Sequence, residues 1–138
     1  MKQAAFSLKD YSIVKATLNL EKVPNECTFD LSFDPSGVFI QEDKLYILTL
    51  IFKASYKNNK QKIEVVNIKL KAIFQFKDFL EIDDMPPYFY SNSIAIIFPY
   101  IRAFVSTITL QSNVTPIMIP TLNISSLEYK LKENTSVK

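Results

Sequence analysis

The chain has 138 residues, of which 48% are hydrophobic and 22% are charged, and its formal net charge is +2. This size and balance are typical of one globular domain, which we expect to span residues 1–138. The weak net charge, with lysines spread along the chain, argues against nucleic-acid binding. The sequence has no histidine, one cysteine and one glycine. The commonest general base and metal ligand are therefore missing, and so are the glycine-rich nucleotide motifs. We expect no cofactor, no metal and no enzymatic activity.

The sequence also predicts a cytoplasmic protein without membrane insertion. Residues 1–10 contain no uninterrupted apolar stretch of signal-peptide length. The longest apolar region, Ile94–Leu110, is broken by Pro99, Tyr100 and Arg102. It is also shorter than the roughly 20 residues of a membrane-spanning helix.

The first half of the chain alternates apolar and polar residues, as half-buried β-strands do. The pattern predicts four strands between about residues 4 and 77. In the first strand, which we place from Ser12 to Leu20, the apolar face carries Val14, Ala16, Leu18 and Leu20. The second strand carries Cys27, Phe29, Leu31 and Phe33. Its continuation, Asp34–Gly37, has the composition of a turn and precedes a further extended segment, Val38–Ile40.

The third and fourth strands have the clearest alternation. On one face they carry Tyr46, Leu48, Leu50, Phe52, Ala54 and Tyr56, and then Val66, Ile68, Leu70, Ala72, Phe74 and Phe76. Between them, Lys57–Lys60 predicts a tight hairpin turn, because asparagine tolerates positive φ. An antiparallel sheet with one apolar face must bury that face. The predicted fold class is therefore α+β, a four-stranded antiparallel sheet with one long and one short helix packed on one face.

The pattern becomes helical in the second half. Ser91–Ser93 offers N-cap residues for a long helix over about 91–112, in which Pro99 should introduce a kink. The segment Thr115–Pro120 lies between two prolines and is predicted to be extended. A short helix is predicted over about 125–132, and Lys132–Lys138 is predicted to be a frayed polar tail.

Three motifs in the second half point to one family. The long helix contains Ile97-Phe98-Pro99-Tyr100-Ile101-Arg102. The proline-flanked segment Pro116-Ile117-Met118-Ile119-Pro120 follows, and then Leu122-Asn123-Ile124. In this combination, after four strands with a tight hairpin between the third and fourth, the chain resembles the SecB family over nearly its whole length.

The resemblance implies a chaperone that needs no nucleotide and holds polypeptides unfolded in long apolar grooves. It also implies a homo-oligomer, a dimer of dimers, whose partners are non-native polypeptides and either the motor SecA or a toxin–antitoxin pair. The chain departs from the export branch in its short connection at Glu21–Glu26, its net charge of +2 and its short basic tail, Glu128–Lys138. These departures favour a SecB-like chaperone with a narrower client range over one that delivers clients to SecA.

Several apolar residues are candidates for client binding. Pro87–Tyr90 contains three consecutive aromatics, which cannot all point inward, although a lid over the sheet is an alternative. Ile117–Ile119 could present an adaptable edge, or could fill the core. The candidates are Tyr88, Phe89, Tyr90, Phe98, Ile101, Ile117, Met118, Ile119 and Phe39. For Phe98 and Ile101 the core is the favoured interpretation, because a helix of this kind must bury one face.

The outer side of the third strand carries Leu45, Ile47 and Ile51, which are apolar enough for an oligomer interface. Arg102 interrupts an apolar helix stripe and is assigned to the same kind of contact, where it would pair with a carboxylate or cap carbonyls. Cys27 is predicted to be a buried, inert thiol. Asp30 and Asp34, on the outer face of the second strand, could receive a basic partner, and ordinary solvation also explains them.

Two other functions stay open at this point. An adaptor or structural protein could use the same sheet to hold one fixed protein partner. A small-molecule carrier could enclose an apolar ligand between helix and sheet, and would gain thermal stability from it.

Overall fold

The structure, a computed structural model, describes residues 5–24, 27–114, 117–120 and 124–138. Parts of three predicted segments lie outside the described residues. They are Asn25 and Glu26 of the first connection, Thr115 and Pro116 of the proline-flanked segment, and Leu122 and Asn123 of the asparagine-containing motif.

The described chain forms an α+β fold, as the sequence predicts. The elements are, in chain order, β1 (Phe6–Leu18), β2 (Asp30–Ile40), β3 (Leu45–Asn58), β4 (Gln61–Phe76), a 3₁₀ turn (Ile82–Asp84), α1 (Pro87–Gln111), α2 (Ile124–Glu133) and β5 (Thr135–Val137). The strand order in the sheet is β1-β4-β3-β2-β5. All neighbours are antiparallel except β2 and β5, which are parallel. The sheet therefore has one strand more than predicted.

The β3–β4 hairpin is the centre of the core. All twelve residues that the alternation predicts to face inward are buried. At the turn, Asn59 and Lys60 have φ values of 50° and 73°, and the two strands pair up to Asn58 and Gln61. Two consecutive positive φ angles match the right-handed twist of the flanking strands. The predicted hairpin is confirmed.

The apolar face of β1 differs from the prediction. The strand begins at Phe6, and its pairing with β4 shifts register between Leu8 and Asp10 and again between Ile13 and Lys15. Each irregularity moves the following side chains to the other face of the sheet. As a result Ile13 packs against the core, whereas Val14 is 49% exposed. The assignment of Val14 to the buried face was wrong, whereas Ala16 pairs with the core residue Ile68 but is exposed.

The predicted turn at Asp34–Gly37 is also wrong, because β2 runs straight through it. Gly37 is required there because the Tyr46 ring of β3 lies directly over it, where a Cβ atom would overlap the ring. Pro35 lies two residues before Gly37, so its backbone N and C=O face the same side of the strand. At Gly37 the N–H points away from β3 towards β5. The N–H that proline lacks would therefore face the sheet edge.

Helix α1 begins four residues before the predicted start at Ser91. Pro87 occupies its first turn, where the missing N–H has no intrahelical acceptor. The Phe89 ring thereby enters the core, with its centroid 4.8 Å from that of Phe6 and 4.7 Å from that of Tyr46. Pro99 lies within the helix on its exposed side.

The predicted frayed tail is a strand. Residues Thr135–Val137 pair with Gly37–Phe39. The Thr135 hydroxyl donates to the Leu131 carbonyl at 2.6 Å, so the Tyr46 hydroxyl, 2.6 Å away, is the donor to Thr135. The pairing with β2 and the two side-chain hydrogen bonds hold Thr135–Val137 in place, although the composition of the segment predicts a frayed end.

Helix α1 is long and apolar enough to cross a membrane, judged by length and composition alone. The sequence did not predict this, because the apolar region Ile94–Leu110 is shorter than the helix. The core helix of a soluble protein passes the same test. In this fold Ile94, Ile97 and Ile101 are fully buried, and α1 covers the same face of the sheet as α2.

Candidate functional site

An open groove, lined mainly by apolar side chains, lies at the end of the sheet beside the start of β2. Its volume is about 710 Å³, within the range of roughly 300–1,000 Å³ that is usual for ligand pockets. It is lined by Leu20, Val23, Pro24, Cys27, Phe29, Leu31, Asn113, Val114, Ile117, Met118 and Pro120. The residues come from two connections that are far apart in the sequence, one between β1 and β2 and one between α1 and α2.

Hydrogen bonds from core residues hold both walls. On one side, the Tyr56 hydroxyl of β3 donates to the Lys22 carbonyl at 2.6 Å and fixes the β1–β2 connection. On the other side, the Thr109 hydroxyl accepts from the Ile117 N–H at 3.0 Å and is buried. Asn113 ends α1 with a φ of 61°, a conformation that asparagine adopts more readily than most residues. The chain can thus turn back towards the sheet.

Two of the predicted client-binding residues line this groove. Ile117 is buried and Met118 is 68% exposed, so alternate residues of the extended segment face the core and the solvent. The half-buried Cys27 also lines the groove, so the expectation of a fully buried thiol was wrong. A client-binding role for Ile117 and Met118 stays a prediction.

Most of the other predicted residues lie in the core. Phe39, Phe89, Ile101 and Ile119 are at most 1% exposed, and Tyr90 and Phe98 are below 10%. Phe98 contacts Phe33 of β2, with ring centroids 5.8 Å apart. In this packed chain these side chains are not accessible to a partner, because they are buried. Phe98, Ile101 and Ile119 belong to the hydrophobic core, which was the other interpretation of these residues.

Tyr88 is the exposed member of the three consecutive aromatics, at 51% exposure. It lies in the first turn of α1, whereas the groove lies beyond the last turn. A 25-residue helix is about 37 Å long. The structure therefore does not bring Tyr88 and Met118 into one site.

The predicted interface residues Leu45, Ile47 and Ile51 are half-buried on the sheet face that no described helix covers. Arg102 is exposed on α1, and among the described residues the one ion pair is between Lys53 and Glu64. Their role in an oligomer stays a prediction.

The remaining lining residues were not predicted as site residues. Leu20 and Phe29 flank β1 and β2, and the alternation assigns them to an apolar face. Val23 lies in the connection between these strands. An available signal was the apolar Val23-Pro24 pair inside a short polar connection. It resembles the proline-flanked segment that did point to the site.

The side chains that line the groove are mainly apolar. The described residues contain no group of three His, Cys, Asp or Glu side chains that could hold a metal ion. The described side chains whose pKa departs from its ordinary value do not line the groove. Burial raises the pKa of Tyr46 far above its ordinary value, and burial also raises the pKa of Tyr90.

Comparisons with known proteins agree with this architecture. The solved SecB-like chaperone of Mycobacterium tuberculosis, in complex with a ChAD peptide from the HigA1 antitoxin, superposes with a TM-score of 0.71. The match covers 86% of this chain and 91% of that one at 17% identity, and so shows a shared fold.

Sequence relatives agree as well. The protein-export protein SecB of Rickettsia akari is 25% identical over 125 residues, 89% of this chain and 82% of that protein. An uncharacterized protein of Methanocaldococcus jannaschii is 38% identical over 63 residues. That match covers 46% of this chain and only 35% of the archaeal protein. The family described as preprotein translocase subunit SecB matches residues 6–135. The chain therefore belongs to the SecB family.

Proposed function

We propose that the protein is an ATP-independent chaperone that binds extended apolar segments of non-native polypeptides in the groove. The observation that carries the proposal is an open groove of about 710 Å³ that is lined mainly by apolar side chains, among them the exposed Met118. Methionine is flexible and polarizable, and it adapts to side chains of different shapes. A holdase for varied clients needs such a surface and no catalytic group.

The proposal includes an oligomer. Helix α1 carries apolar residues that this chain leaves exposed, among them Ile96, Tyr100 and Leu110. Contiguous exposed apolar surface favours association with another protein surface. We assign this surface to self-association into a dimer of dimers, with the outer-sheet residues Leu45, Ile47 and Ile51 and the α1 residue Arg102 as further interface candidates. Several grooves in one assembly would multiply modest affinities along one client.

The proposed compartment is the cytoplasm, where SecB-family chaperones meet unfolded chains. The SecB-like relative solved with an antitoxin peptide supports a polypeptide client. We favour a dedicated client such as an antitoxin over delivery to SecA, because the net charge of +2 departs from the acidic export branch.

The first experiment measures mass by light scattering on a sizing column, for the protein alone and mixed with a reduced, unfolded model polypeptide. We expect an oligomer that captures the unfolded chain and ignores its folded form. Met118→Lys should weaken capture about tenfold, because burying one apolar side chain is worth about 1.5 kcal/mol or more. Phe79→Lys is the matched control, since Phe79 is similarly exposed, at 61%, and does not line the groove.

The other outcomes identify the competing functions. A monomer that captures nothing contradicts the chaperone proposal. Capture of one natural partner with no capture of unrelated unfolded chains would indicate an adaptor. Stabilisation by an apolar small molecule without polypeptide capture would indicate a carrier. Equal losses in Met118→Lys and Phe79→Lys would place the binding surface outside the groove.

A further inference from the structure

A second, smaller pocket lies beside the first turn of α1 and shares no lining residue with the groove. One wall is formed by the 3₁₀ turn and the start of α1, and the other by the end of α2 and the start of β5. Its volume is about 210 Å³, below the roughly 300 Å³ at which pockets for drug-sized ligands begin. The apolar part of the pocket consists of Ile82, Met85 and Pro87. The pocket therefore suits a small ligand with some apolar surface.

Hydrogen bonds hold both walls of this pocket in place. On the first wall, the Ile82 N–H donates to the side-chain oxygen of Gln41 at 3.1 Å. On the second wall, the Thr135 hydroxyl donates to the Leu131 carbonyl and accepts from the Tyr46 hydroxyl. A hydroxyl oxygen has two lone pairs. One lone pair of Thr135 is therefore left to accept a hydrogen bond from a donor in the pocket.

Tyr90 supplies a hydroxyl that has no partner inside the protein. The residue is 4% exposed, and its ring packs against Phe89 with centroids 5.7 Å apart. Among the described residues, no hydrogen bond reaches this hydroxyl, and none of their fully buried side-chain polar atoms lacks a partner. The hydroxyl is therefore not sealed in the core and opens into the pocket. Burial raises the pKa of Tyr90, so the hydroxyl keeps its proton at neutral pH and can donate.

The two walls carry opposite charges, Asp83 on the first and Lys132 on the second. Neither takes part in an ion pair among the described residues. The first turn of α1 has no side-chain cap and no acidic residue, so its positive end is also open to an anion. A simple anion would be repelled by Asp83, and a simple cation by Lys132. A ligand that carries both charges satisfies both side chains.

We propose that this pocket binds a free α-amino acid with a small apolar side chain. Its carboxylate lies beside Lys132 and accepts from the Tyr90 hydroxyl. Its ammonium group lies beside Asp83 and donates to the Thr135 hydroxyl. Its side chain contacts the apolar part of the pocket. This inference is independent of the proposed function, because the pocket and the groove are separate and lie near opposite ends of α1.

The test titrates the intact protein with L-valine and measures binding by isothermal calorimetry. We expect a Kd of about 1 mM or lower, which is reasonable for a ligand of this size in a preformed pocket. Two analogues each lack one of the charges. N-acetyl-L-valine has no ammonium group, and L-valinamide has no carboxylate. Each should bind at least about tenfold more weakly than valine, because one buried charge-assisted hydrogen bond is lost.

Matched variants of the protein test the assigned roles. Lys132→Gln and Asp83→Asn should each weaken the binding of valine about tenfold. Lys130→Gln and Asp84→Asn are the controls, since both residues are exposed neighbours on the same elements and neither lines the pocket. They should bind valine like the wild-type protein. Tyr90→Phe keeps the packed ring and removes only the hydroxyl, and it should also weaken binding about tenfold.

Three results would overturn the proposal. The first is no binding of valine at about 10 mM. The second is equal binding of N-acetyl-L-valine, which would indicate a site for a plain carboxylate, such as the C-terminus of a polypeptide. The third is the same affinity in each variant as in its control, which would place the site outside this pocket. None of them affects the chaperone proposal, because capture of an unfolded polypeptide is measured separately.

Discussion

The two edges of the sheet limit unwanted pairing in different ways. Strand β1 is thirteen residues long, and two register irregularities interrupt its pairing with β4. At the opposite edge, β2 has no irregularity in its pairing with β3 and is covered by the three residues of β5 over part of its length. Bulges bend an edge away from a regular ladder, whereas a covering strand leaves the rest of a regular edge competent to pair. The difference leaves the first half of β2 as a regular edge that β5 does not cover.

One side chain joins the edge strand β1 to the central hairpin, and its removal should have the largest effect. The Phe89 ring contacts Phe6 of β1 and Tyr46 of β3, and its centroid is 5.0 Å from that of Phe76. We expect Phe89→Ala to lower the free energy of unfolding by about 3–5 kcal/mol. Urea denaturation measures it. The control is Tyr88→Ala at the neighbouring, exposed position, where a loss above about 1 kcal/mol would contradict this account.

The β2–β5 edge can be tested on its own with Tyr46→Phe. The variant removes the hydroxyl that donates to Thr135, and we expect a loss of about 1 kcal/mol at neutral pH. The pH dependence has a definite sign. Because burial raises the pKa of Tyr46 above its ordinary value of 10.0, the unfolded chain loses this proton first as the pH rises. Stability from Tyr46 is thus complete below pH 10.0 and falls above it.

Unfolding in urea at neutral pH and at about pH 11 checks this prediction. The wild-type protein should lose more stability than Tyr46→Phe between the two conditions. Part of the alkaline loss should remain in the variant, because burial also raises the pKa of Tyr90. Identical losses in the two proteins would mean that Tyr46 does not titrate differently in the folded and unfolded states.

The smallest expected effect concerns the β1 edge. The Tyr11 ring of β1 stacks on Tyr100 of α1, with centroids 4.1 Å apart and planes inclined by 24°. Both residues are 38% exposed, so solvent weakens the contact. A double-mutant cycle with Tyr11→Ala and Tyr100→Ala should give a coupling energy of about 0.5–1 kcal/mol. A coupling near zero would show that the stacked pair does not help to hold β1 against α1.

The sequence predicts the hairpin well because β3 and β4 are regular and close in the chain. Their alternation is a local property, and its period of two identifies every inward residue from Tyr46 to Phe76 that we assigned. The same reasoning fails for β1, because the position of a bulge cannot be recognised from the order of apolar and polar residues. Val14 shows the consequence, because it follows the alternation and yet faces solvent.

The site was predicted only where a local signal existed. Ile117 and Met118 lie next to prolines that exclude a helix, whereas Leu20 and Leu31 line the groove because two distant connections meet. β5 was missed for a similar reason. Its three residues, Thr135–Val137, are too few to show an alternating pattern, and they pair with β2 where Gly37 leaves room for Tyr46 to reach Thr135.

The bond between Tyr46 and Thr135 joins residues 89 positions apart. Closing so long a loop is entropically expensive, whereas the two-residue turn at Asn59 and Lys60 closes locally. Hairpins form in roughly 1–10 μs, so β3 and β4 can pair early, and β5 can join only after β2 has been added to them. The order of folding thus leaves the whole β2 edge bare until the last step, when the chain covers part of it with its own residues.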